Sequence, residues 1–133
     1  MPSNNDVIKD ALSILGVLSE VDSVSAEQGQ NGLSVMNDML NEWAADGIDV
    51  GFYPQTEIND DSPVYSDALQ AVKYNLALAL SNYYQKEPSL PAIMLADRGY
   101  KRLLRDAMNA RLQEADLTGY MPGVNYSSNI LDG

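Results

Sequence analysis

Residues 25–47 read SAEQGQNGLSVMNDMLNEWAADG, and both ends of a helix are written in them. Ser25 followed three residues later by Gln28 is a capping-box pattern, in which hydroxyl and amide side chains each satisfy the other residue's backbone N–H. Leu33, Met36, Met39, Leu40 and Trp43 then recur at three- and four-residue spacing, which places them on one face. Gly47 is the residue type expected just past the last turn. Gly29 and Gly32 weaken the first turns by about 1 kcal/mol each relative to alanine.

Working outward, the same arguments give three more helices. Upstream, Ile8, Ala11, Leu12 and Leu15 predict a helix over 5–15, capped by Asn5 or Asp6 and stopped by Gly16. A linker over 17–24 joins it to the second helix. Downstream, Leu69, Val72, Leu76, Leu80 and Tyr83 predict a third over 66–84, with Ala68, Ala71, Ala77 and Ala79 allowing close approach of neighbours. Ser89 is the expected N-cap of a fourth, with Pro91 in its first turn, where a missing N–H is tolerated. Its apolar set is Ile93, Ala96, Tyr100, Leu103, Leu104, Ala107 and Met108. Residues 48–65 break the helical period, and Val50, Phe52 and Pro54 leave room for a short β-hairpin. The expected fold is all-α: a small bundle of about four helices forming a domain over 1–115, followed by an extended, flexible arm over 116–133.

With 45% hydrophobic and 20% charged residues over 133 positions, the chain can bury one core. Having no Cys and no His, it has no disulfide, thiolate nucleophile or Ser-His-Asp triad, and lacks the commonest general base and metal ligand. No stretch suggests a signal peptide or membrane span, so the expectation is a soluble protein made in a cytoplasm. The net charge of −11 argues against a nucleic-acid binder. That charge is polarised: residues 1–72 carry thirteen acids and one base, whereas residues 73–133 carry seven bases and six acids. Such a molecule suits head-to-tail docking with its own copies or with a charged partner.

Two charged stripes follow. Asp38, Glu42 and Asp46 stand four apart on the second helix and read first as a solvated acidic face. Arg98, Lys101, Arg102 and Arg105 share one sector of the fourth helix, opposite its apolar set. They are either a solvated face or a docking stripe for phosphate or for the acidic half of an adjoining subunit. No aromatics interleave them to stack bases, which favours a protein partner. Residues 46–57 match the first, sixth and twelfth positions of a calcium loop. Ile48 and Val50 offer no ligand oxygen at the third and fifth, and the match fails. Trp43, on an apolar face, reads as core. Leu117, Tyr120, Met121, Tyr126, Ile130 and Leu131 are spaced hydrophobics in the arm, suited to pockets on a partner. No catalytic residue, metal or cofactor is expected.

MLNEWAADGI (39–48) followed by GFY (51–53) resembles the signature of the head-to-tail adaptors of tailed phages, in particular the tail accessory factors, or packaged-DNA stabilisation proteins, of short-tailed phages. ALSILGV (11–17) and AVKYNLALAL (71–80) resemble that family's first and central helices, so the likeness spans about residues 5–110. The resemblance implies a virion protein, synthesised in the host cytoplasm, that forms a ring, usually of twelve copies, under the portal protein. Such a ring extends the DNA channel, helps retain packaged DNA without sequence-specific binding, and provides the platform for tail proteins. Family members are typically monomeric until they meet the portal. Two other readings stay open. One is a cell-wall hydrolase with Glu42 as general acid, which needs a second carboxylate across a cleft. The other is a generic helical protein-binding module.

Overall fold

The computed structural model describes residues 2–19 and 21–117. It contains four helices in order: α1 (Asn4–Leu15), α2 (Ala26–Ala45), α3 (Leu69–Tyr84) and α4 (Leu90–Leu117). The all-α expectation holds. The chain divides into two compact units, 1–103 and 104–133, and α4 runs from the first into the second.

α1 buries Val7, Ile8, Ala11, Leu12 and Leu15 and packs mainly against α3, whose Val72, Leu76 and Leu80 are equally enclosed. α2 closes the core with Leu33, Met36, Leu40 and Trp43. Its ends follow the sequence reading: Ser25 and Gln28 form the reciprocal capping box, and Gly47 takes a left-handed φ of 90°. Gly32 lets α1 come close, since a Cβ there would stand 2.6 Å from Ile8 Cγ2.

Several expectations are corrected. The cap of α1 is Ser3, not Asn5 or Asp6; its hydroxyl accepts from the Asp6 N–H at 3.1 Å, and Asp6 accepts from the Ser3 N–H at 3.0 Å. α3 begins at Leu69 rather than Ser66, after a turn in which the Ala68 N–H bonds the Tyr65 carbonyl. The fourth helix, whose sequence pattern predicts an end at about Ala115, continues to Leu117. Of the expected apolar set of α4, Ala96 and Leu103 are buried and Tyr100, Leu104 and Ala107 half-buried, but Ile93 and Met108 are exposed, and Ala92, outside the set, is buried. Tyr83 on α3 is likewise exposed.

No hairpin forms over 48–65 among the described residues. The segment is a loop whose ends meet where the Tyr65 N–H donates to the Val50 carbonyl at 2.9 Å. Several of its other backbone groups pair with helices instead. The Asn4 and Asn5 N–H groups donate to the carbonyls of Asp60 and Ile58 at 2.9 and 2.7 Å, satisfying two amides that a helix start leaves open. An isolated antiparallel bridge joins Ser3 to Asp61.

From α2, Asn37 acts as a surrogate strand. Its Nδ2 donates to the Gln55 carbonyl at 2.8 Å, and its Oδ1 accepts from the Gln55 N–H at 3.0 Å. The buried Asn4 amide donates to Gln55 Oε1 and the Glu57 carbonyl, both at 2.9 Å. Ile48, Val50 and Val64 lie almost fully buried in the same loop. Asn37→Ala strands both backbone groups of the buried Gln55 and should destabilise the protein by about 1–3 kcal/mol. Urea titration checks this, and an unchanged midpoint would mean that water replaces the clamp.

Candidate docking surfaces

Within the 1–103 unit, the acidic stripe of α2 and the Arg98–Arg102 pair lie on different sides of α4. On one flank Tyr100 reaches α2: its hydroxyl donates to Asp46 Oδ2 at 3.2 Å, and its ring meets Trp43 edge-on at 5.4 Å and 64°. Burial pushes the Tyr100 phenol above its ordinary pKa, and the neighbouring Asp46 charge adds to the effect. Asp38, Glu42 and Asp46 are all exposed, while Met36, Leu40 and Trp43 are buried on the opposing face. Among the described residues, no cation forms an ion pair with Asp38 or Glu42. The three carboxylates share one face of one helix, which is the arrangement of a solvated stripe. It does not place two acids across a cleft, as glycoside hydrolysis requires.

Tyr100 and Arg98 differ by two positions, about 200° around the helix. Arg98 therefore lies on the flank away from Tyr100, where it lines a cleft of about 230 Å³ with Leu95, Gly99 and Arg102 of α4 and Gln70 and Ala71 of α3. α3 and α4 approach closely here. The Asn75 amide of α3 donates to the Ala96 carbonyl of α4 at 2.9 Å, and Gly99 sits directly against Ala71.

The four bases of the expected stripe have different surroundings. Lys101 pairs with Asp97 at 2.9 Å, one turn earlier on the same helix. Arg102 is half-buried and donates to the Asp67 carbonyl at 2.6 Å. Arg98 is exposed, and no carboxylate among the described residues pairs with it. Arg105 is exposed in the second unit. The backbone of Leu117 ends α4, and Tyr120, Met121, Tyr126, Ile130 and Leu131 lie outside the described residues.

Periodicity gave no sign of a larger open groove of about 830 Å³ between α1 and α3, which contains the Lys73–Asp10 ion pair at 2.7 Å. Asn4, Asn37 and Gln55 were also missed, because each acquires its role from a partner far along the chain. Asp22 is held below the ordinary carboxylate range by hydrogen bonds from the Ser19 N–H and hydroxyl, both 3.0 Å; it caps a surface turn. No helix among the described residues is long and apolar enough to cross a membrane.

Residues 2–126 match the family model described as the P22 tail accessory factor. The chain belongs to this family. It is accordingly a phage structural protein associated with the tail, and a virion component. Within this tail accessory factor the signature residues 39–53 serve mainly the fold. Leu40, Trp43, Ile48 and Val50 are core, and Gly47 and Gly51 take left-handed φ values of 90° and 81°. The segment therefore specifies how α2 stops and how the following loop is anchored.

Proposed function

We propose that this tail accessory factor is a head-completion adaptor. Its copies gather as a ring, usually of twelve, beneath the portal protein of a filled capsid. The ring extends the DNA channel, helps retain the packaged genome and presents a platform to downstream tail proteins. Family membership over nearly the whole chain carries this reading.

The placement of charge supports it. A molecule with an exposed acidic stripe on one side of α4 and two arginines on the other favours a heterologous contact with its neighbour, and such contacts generate closed rings when the rotation per copy closes. The acidic first 72 residues also disfavour adhesion of DNA passing through the channel. In this reading the segment from Leu117 onward, with Tyr120, Met121, Tyr126, Ile130 and Leu131, supplies apolar anchors for the portal or an adjoining copy.

Size-exclusion chromatography with and without the purified portal tests the proposal. The protein should elute as a monomer alone and co-elute with the portal when mixed. Separate elution at micromolar concentrations and low salt would contradict it.

A further inference from the structure

We infer that the cleft between α3 and α4 containing Arg98 and Arg102 receives a carboxylate from a second copy of this chain, supplied by the exposed Asp38–Glu42 face of α2. The inference rests on the ring reading above and assigns its subunit contact. The cleft combines an apolar lining of Ala71, Leu95 and Gly99 with three polar side chains: Gln70, Arg98 and Arg102. A guanidinium is a planar fork that matches a carboxylate with two parallel hydrogen bonds, so this lining selects an acid. Arg102 is already oriented by the Asp67 carbonyl, and Lys101 is engaged by Asp97, which leaves Arg98 as the principal new donor.

Charge complementarity identifies the occupant. Residues 1–72 hold thirteen acids against one base, and Asp38 and Glu42 have no ion pair among the described residues. Asp46 is already bound by Tyr100. Donor and acceptor lie on opposite flanks of one molecule, so they cannot meet within a copy, yet can meet between copies. Their spacing also agrees. Arg98 and Arg102 are four residues apart, as are Asp38 and Glu42. Both intervals rise about 6 Å, so two helices lying side by side pair both positions at once. A DNA phosphate offers similar chemistry, but the net charge of −11 opposes it.

The absence of native cysteine makes a direct test clean. Arg98→Cys and Glu42→Cys are prepared separately, mixed, bound to purified portal and treated with a short bis-maleimide. A linker is needed because an Arg–Glu contact holds the two backbones farther apart than the roughly 4.4–6.8 Å Cα separation of a disulfide. The mixture should give cross-linked dimers, and the double variant a ladder of higher species. Arg98→Glu should weaken assembly on the portal by about tenfold or more, and Glu42→Arg in the same chain should restore it. Cross-linking absent from a mixture that binds portal normally would overturn the assignment while leaving the ring reading intact. Arg98→Glu that leaves assembly unchanged but abolishes retention of a short DNA duplex would overturn it in favour of phosphate. If the unmodified protein fails to gather on the portal, the ring reading falls and the assignment with it.

Discussion

Trp43→Ala should lower the free energy of unfolding by about 3–5 kcal/mol, the range for removing a large aromatic from a core. Trp43 is only 5% exposed and lies on the same face of α2 as Met36 and Leu40, both essentially inaccessible. Its ring also supports Tyr100 of α4 edge-on, so one truncation removes packing that joins two helices. The Trp43 carbonyl accepts from the Ile48 N–H at 2.9 Å and survives the change, which confines the loss to the side chain. Against a typical total stability of about 5–15 kcal/mol, this is a large fraction. The urea midpoint should fall with little change in slope. Tyr100→Phe, which removes only the exposed bond to Asp46, should alter stability by about 1 kcal/mol or less. A loss below 1 kcal/mol for Trp43→Ala would show that the indole is not a core element.

Gly99→Leu should also destabilise, through the opposite defect. A Cβ at position 99 would stand 2.7 Å from the Ala71 Cβ and 3.0 Å from its Cα. The obstruction includes backbone, so no rotamer change relieves it and α4 must move away from α3. Overpacking of this kind costs about 1–3 kcal/mol, occasionally more, and outweighs the roughly 1 kcal/mol that any residue regains over glycine inside a helix. Gly99→Ala sets these two effects against each other with a smaller clash, and Ala71→Gly should relieve it only in part, because the Cα at position 71 remains 3.0 Å away. A stabilised Gly99→Leu in thermal unfolding would mean that α3 and α4 have slack at this crossing. Gly99 also lines the cleft with Arg98 and Arg102, so Gly99→Leu should impair assembly beyond its effect on stability.

The legible parts of the fold were those governed by neighbours in sequence. The capping box at Ser25 and Gln28, the stop at Gly47, the core position of Trp43 and the start of α4 after Ser89 all involve residues within one or two helical turns. Ser89 indeed accepts from the Ala92 N–H at 3.3 Å. The cap of α1 was misplaced because a distant loop takes up the Asn4 and Asn5 N–H groups through the Asp60 and Ile58 carbonyls, so the helix starts at Asn4, Ser3 caps it and Asp6 becomes the capping-box partner. The hairpin expectation failed for a similar reason. The alternating Val50, Phe52 and Pro54 suit an extended chain, but Asn37 and the start of α1 provide the hydrogen bonds that a second strand would have supplied. The face of α4 was read correctly at Ala96 and Leu103 but not at Ile93 and Met108, because hydrophobicity favours those two, whereas the packed side also takes the small residues Ala92 and Gly99.

The charged surfaces were legible as stripes but not as flanks. Spacing gave Asp38, Glu42 and Asp46 one face, and Arg98, Lys101 and Arg102 another, since both are intrahelical facts. That the two lie on opposite sides of one unit depends on Tyr100 turning toward α2 while Arg98 turns toward α3. Nor did spacing distinguish Lys101, neutralised by Asp97, from Arg98.

In the proposed function, copies of this protein collect as a closed ring on the portal. Native mass spectrometry of the purified portal saturated with the protein counts those copies directly. One discrete complex carrying a full ring, twelve copies in the proposed stoichiometry, is expected, with few partly filled species. A statistical spread of one or two copies per portal, or none bound, would contradict it.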